Sequence, residues 1–284
     1  MEATKKFVGV VGQAVTMNKA LLYRDFPEFP LEQLERSLAE LDLLARHDLY
    51  FETRRATTPA LIETAQALRY QVYCLERKFE DAQEHAQGLE SDEHDAHSIH
   101  GVLFHRPTGE GMGTVRLVLP VSDLPHSGLP VRRLLSEQGV NLEDYVPAKT
   151  TVEVSRFAIS KNFRRRVTDN MEPQELAKVR KDRVKQGNLP CLSLIQFLLR
   201  QSVELGVTNW AAVMEVKLLR MLDSMGIHFT SVGTPVMHHG LRQPCYCHVP
   251  KMLDELKLEQ KDYWDVITNA GLLHDGMQQL GQRG

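Results

Sequence analysis

Between Thr151 and Ser160 the chain reads TVEVSRFAIS, an alternation rich in β-branched residues. Such a run is a strand with two different faces. It sends Glu153, Ser155 and Phe157 to one side and Val154, Arg156 and Ala158 to the other. A basic, polar stretch (161–188) follows, and then Pro190–Leu205 reads as an apolar helix ended by Gly206. Next come a strand at Asn209–Met214, a helix at Glu215–Met225 stopped by Gly226, a strand at Ile227–Val232 and a last strand at Cys245–Val249. Upstream, Ile99–Phe104 and Met112–Pro120 form two strands joined by a turn around Pro107–Gly109. Strand, helix, antiparallel strands, then helix-strand-helix-strand is an α+β or mixed-sheet order.

The remaining segments dress this frame. Residues 31–47 place leucines at 31, 34, 38, 41 and 44, the spacing of one helical face. Residues 49–56 read as a strand, and Pro59 opens a helix through about Arg77. The acidic, histidine-rich run 79–98 reads as a loop or broken helix, and 121–150 as an irregular connection with a short helix at 131–137. The tail from 251 reads as amphipathic helix. The expected organisation is an N-terminal helical extension (1–48), a main domain (49–250) and a C-terminal helical tail (251–284).

Composition excludes several classes. A net charge of −3 offers no global basic field for nucleic acid. No window approaches the roughly 18 uninterrupted apolar residues of a membrane span. The short apolar run Phe7–Val15 is broken by Gly9, Gly12 and Gln13 and lacks a cleavage site, so the cytoplasm is the default location. The four cysteines (74, 191, 245, 247) suit reduced thiols better than a disulfide framework. Cys245-Tyr-Cys247-His248 lacks a second ligand pair at finger-like spacing, and His85, His94, His97 and His100 find no fixed ligand pair elsewhere. No metal is expected.

Five short motifs follow one another: Arg69-Tyr-Gln-Val72-Tyr73, then Phe79, Glu90-Ser-Asp92-Glu-His-Asp95, Gly113-Thr-Val-Arg116 and Glu153-Val-Ser155-Arg156-Phe157. In this order and spacing they resemble the acyl-homoserine-lactone (autoinducer) synthases and the N-acyl amino acid synthases. They most resemble the acyltransferases of the PEP-CTERM/exosortase system, whose Gly240-Leu-Arg242-Gln-Pro244-like motif is also present. The resemblance covers roughly residues 60–250. It implies a GNAT-like acyltransferase fold: a central twisted mixed sheet flanked by helices, in which two parallel strands, here Thr151–Ser160 and Asn209–Met214, splay to admit an acyl-pantetheine thioester.

The implied activity is transfer of a fatty acyl group from an acyl carrier protein to the amine of a small acceptor, an amino acid or derivative. Acyl-homoserine-lactone synthesis from S-adenosylmethionine is the alternative, and a non-catalytic carrier- or lipid-binding regulator the second. An attacking amine must lose its proton, and Glu153 is the base if burial raises its pKa; the bland reading is a structural ion pair with Arg69, Arg116 or Arg156. Glu153, Ser155 and Arg156 form the expected catalytic set, with backbone N–H groups as oxyanion donors and no covalent nucleophile. The resemblance assigns Arg69, Glu90, Asp92, Asp95 and Arg116 to a charged network on the acceptor side, with Phe79 where lactone synthases carry Trp. No glycine lies between Ser160 and Gly187 to build a pyrophosphate cradle. Arg164, Arg165 and Arg166 instead suit an acidic carrier protein, against the reading of a solvated charge run. The expected donor is acyl-acyl carrier protein in preference to acyl-coenzyme A, which stays the alternative donor, with no tightly bound cofactor. Phe157, Ile195, Leu198 and Val213 are expected to line the acyl chain, although a buried core helix explains most of that segment equally well.

Overall fold

The computed structural model describes residues 42–161, 188–237 and 240–281. Most of the expected helix at 31–47 lies outside the described residues; helix α1 (Leu43–Tyr50) has Asp42 as its N-cap, with extended backbone and a side chain accepting from Ala45 N at 2.7 Å. The helix runs on through Leu49 and Tyr50, so strand β1 is confined to Phe51–Arg55 rather than beginning at 49. Thr58 caps α2 (Pro59–Arg69), with Pro59 in the first turn where its missing N–H costs nothing. The expected single helix to Arg77 changes pitch at Tyr70 and continues as a π-helix, Tyr70–Glu76.

β2 (Ser98–His105), β3 (Glu110–Val118) and β4 (Thr151–Ile159) form an antiparallel meander with β1 at its edge. α3 (Pro130–Glu137) lies in the connection before β4. α4 (Leu189–Leu205), closed by left-handed Gly206, leads into β5 (Asn209–Glu215), which pairs parallel with β4. Past α5 (Val216–Asp223), β6 is only Thr230–Ser231, far shorter than the expected 227–232. β7 (Val236–Met237) and β8 (Leu241–His248) complete the sheet. β8 begins at Leu241, four residues before the expected start at Cys245, and ends at His248. Among the described residues the strand order is β1-β2-β3-β4-β5-β8-β6, with β7 on β8. The tail is three helices, not one: α6 (Val249–Glu259), α7 (Lys261–Thr268) and α8 (Leu272–Gly281). Gln196 on α4 donates to the Val266 carbonyl of α7 at 2.6 Å.

Strand alternation splits the interior. On one side of the sheet Val115, Leu117, Val152, Val154, Trp210 and Ala212 pack against α4. On the other, Val118 and Ala211 join Leu129, Val131 and Leu135 from the α3 region. At Gly101 a Cβ would come within 2.5 Å of the Phe197 ring, so only glycine lets α4 approach β2 this closely.

The strict alternation expected of β4 does not survive. Thr114 faces Ala158 and Arg116 faces Ser155, so Val115 of β3 stands opposite two residues of β4, Arg156 and Phe157. This is a β-bulge, and Arg156 adopts φ 51°, a left-handed conformation rare for a residue with a Cβ. The extra residue turns Arg156 to the side of Ser155 and Glu153, where the carboxylates lie.

Candidate active site

β4 and β5 pair over only three residues each, Thr151–Glu153 against Asn209–Ala211. Beyond Glu153 the strands part, and β5 continues to Glu215 paired only with β8. The π-helix spans the gap. Its Tyr73 hydroxyl donates to the Phe157 carbonyl on β4 at 3.4 Å, and Arg77 reaches Glu215 at the end of β5 at 3.1 Å. Glu76 fastens the end of β4 by accepting from Ser160 Oγ and Lys161 N.

Glu153 is the last β4 residue before the strands separate, and only 3% of it is exposed. Among the described residues it makes no salt bridge; its carboxylate accepts from the Val131 N–H in the first turn of α3 at 2.8 Å. Burial pushes its pKa up to about 7, against the lowering pull of Val131, Arg116 and Arg156. The structural ion-pair reading of this residue therefore does not hold: the arginines act on it at a distance.

Their direct partners are the other carboxylates. Arg69, fully buried, pairs with Glu90 and donates to Asp95 at 2.7 Å. Arg116, 1% exposed, places Nη1 at 2.5 Å from both Asp92 and Asp95 and donates from Nε to Ser155 Oγ at 2.9 Å. Arg156 donates to Glu90 at 2.9 Å and to Asp92 at 3.0 Å, above the Tyr73 ring. Glu80 stands a little further off, 3.7 Å from Arg156, so three arginines face four carboxylates. Although burial alone would raise the carboxyl pKa values, the guanidinium hydrogen bonds and charges hold Glu90, Asp92 and Asp95 below the usual range. Local chemistry shapes the loop: Asp92 and Asp95 form a reciprocal capping box on a short 3₁₀ helix, Glu93–His97, which aims both at the arginines.

Phe79 lies half-buried between two guanidinium groups, 5.7 Å from Arg77 and 5.4 Å from Arg242, with the Tyr73 ring 6.5 Å away. The residues expected to hold an acyl chain are not together. Ile195 and Leu198 are sealed in the core around α4, whereas Val213 belongs to the cluster on the opposite side of the sheet, past the point where β5 leaves β4. Phe157 packs at the edge of the α4-side core. Arg164, Arg165 and Arg166 lie outside the described residues. Burial raises the pKa of Cys245 and Cys247, and that of Cys74 to about 11, which keeps these thiols protonated. A polar groove of about 430 Å³ lined by residues including Glu52, Arg106 and Arg200 lies along β1 and contains none of these groups.

Sequence reasoning missed three participants. The Val131 amide has no side-chain signature, and only Pro130 hinted at a helix start there. The Tyr73 hydroxyl was hidden in a motif position read as merely aromatic. His97, given no role by the sequence beyond its place in the histidine-rich run, donates to the Gly128 carbonyl.

The family model for the acetyltransferase (GNAT) domain matches residues 68–173. No curated protein matches the sequence. Among solved structures, the N-acyl amino acid synthase FeeM from uncultured soil microbes is 17% identical, covers 74% of this chain and 96% of its own, and has a TM-score of 0.48. TofI, in a ternary complex with an inhibitor and MTA, is 18% identical over 72% of this chain and 96% of its own, with a TM-score of 0.49. The CoA-dependent acyl-homoserine lactone synthase MesI is 17% identical over 74% of this chain and 95% of its own, also at 0.49. The match of residues 68–173 to the acetyltransferase (GNAT) domain makes the chain an acyltransferase by class.

Proposed function

We propose that the chain moves a fatty acyl group from an acyl carrier protein thioester to the amine of a small acceptor, an amino acid or derivative. One observation carries this reading: a buried carboxyl titrating at about 7 stands where β4 and β5 part. A base so poised accepts the amine proton near neutral pH. The nitrogen then forms the amide bond as the carbon–sulfur bond breaks, and the thiolate leaves with a proton from solvent. The charged network, Arg69, Glu90, Asp92, Asp95, Arg116 and Arg156 with Ser155, frames the acceptor side of the cleft. The surroundings of Phe79 favour an amino acid over S-adenosylmethionine, because two guanidinium groups already stand against its ring and repel a sulfonium cation.

Mass spectrometry of extracts from cells making the parent or Glu153→Gln tests this. N-acyl amino acids from the parent alone support it. N-acyl homoserine lactones transfer the reading to the lactone synthases, and no new acyl amide from the parent leaves a binding protein. Purified acyl-carrier protein should outperform the matching acyl-coenzyme A, and reversing the charge of Arg164, Arg165 and Arg166 should remove that preference and its salt sensitivity.

A further inference from the structure

The Val131 N–H that meets Glu153 is delivered by unusual backbone. His126, Ser127 and Gly128, just before α3, all have positive φ, at 52°, 53° and 69°. Left-handed conformations are adverse for residues with a Cβ, so this turn persists because its surroundings over-determine it. Val121 N donates to the Ser127 carbonyl at 2.9 Å. Arg132, itself on α3, donates to Ser127 Oγ at 2.9 Å. His97 Nε2 lies 3.2 Å from the Gly128 carbonyl, which can only accept, so the ring proton sits on Nε2. The fit is tight, since a Cβ at Gly128 would stand 3.0 Å from that nitrogen. His97 also ends the short helix whose Asp95 binds Arg69 and Arg116. One helical turn therefore touches the ion network on one side and the left-handed turn on the other.

We propose that His97 and Arg132 are positioning residues: they hold the left-handed turn so that the Val131 N–H is aimed at the Glu153 carboxylate, and His97 ties that aim to the ion network. This rests on the reading of Glu153 as the base. Its carboxyl is faced by Val131 N from α3, Arg116 on β3, Arg156 on β4, Asp92 before the short helix and the Cys245 thiol on β8. Substitution at His97 replaces none of these groups.

The test is carbon NMR of protein carrying glutamate labelled at the carboxyl carbon, with the Glu153 signal assigned by its loss in Glu153→Gln. In His97→Ala the Glu153 midpoint should rise by about half a unit to one unit, because the carboxylate loses a well-aimed donor. His97→Gln, whose amide can donate to the same carbonyl, should restore it, and Arg132→Met should raise it. If His97→Ala fails to fold, Gly128→Ala disturbs the same turn with every neighbouring side chain kept. An unchanged midpoint in folded variants overturns the proposal, as does an equal rise in His97→Ala and His97→Gln. The midpoint is read without turnover, so this outcome is separate from whether Glu153→Gln abolishes activity, which tests the base itself.

Discussion

Replacing Glu153 with Gln should stabilise the protein at high pH while removing its activity. The folded carboxyl titrates at about 7 against an ordinary 4.5. Between those values the unfolded chain has released this proton and the folded chain still holds it. The native state then binds more protons, and stability falls as pH rises through that window, levelling off above 7. At about 1.4 kcal/mol per pH unit, a window of roughly 2.5 units costs the parent about 3 kcal/mol. Gln keeps the shape and the acceptor for Val131 N but cannot ionise. The two proteins should melt alike below about pH 4 and differ by about 3 kcal/mol at pH 8, a Tm gap on the order of 5–10 °C for a chain of this size. Thermal melts at constant ionic strength across this range measure the gap directly. A gap that does not widen with pH would show that Glu153 titrates like a solvated carboxyl and would remove the physical basis for treating it as the base. The same variant should lose roughly 100-fold or more in turnover.

Arg156→Ala takes one of its two guanidinium partners from each of Glu90 and Asp92 and leaves the buried cluster short of a positive charge, and should cost about 3 kcal/mol in denaturant unfolding; Arg156→Gly should cost about 1 kcal/mol less, because glycine relaxes the left-handed bulge. Gly101→Ala drives a methyl into Phe197 and should destabilise by roughly 1–3 kcal/mol, with Phe197→Leu recovering part of the loss in the double variant. Val213→Trp, past the parting of β4 and β5, should shorten the acyl chain of the product in mass spectra. Ile195→Ala and Leu198→Ala should instead lower Tm without changing chain length, since both are core residues.

Much of this architecture was legible because it rests on local signals. Pro59, Gly206 and the β-branched run of β4 announce their elements through fixed φ, left-handed φ and strand propensity. The charged residues met because capping chemistry and strand pairing, both local, place Asp92, Asp95 and Arg116 together. What failed depended on long-range fit. The bulge that turns Arg156 inward arises from unequal strand counts at Val115, which no single-strand pattern encodes. The π-helix at Tyr70 continues an ordinary helical sequence and is shaped by what it must bridge. The supposed acyl-lining set separated because an apolar helix looks the same whether it faces a ligand or, as with Ile195, lies within the core.

The ionic cluster also sets an order of events in folding. Its contacts join residues 21, 26, 64 and 66 apart in sequence, and those of Arg116 and Arg156 with the carboxylates need β3 and β4 in place. A half-formed buried cluster leaves desolvated charges unpaired and gains nothing, so it behaves as a latch that engages late and all at once. Contacts made after the folding barrier slow unfolding rather than speed folding. The arginines and carboxylates around Glu90 thereby govern how long the native chain lasts once formed.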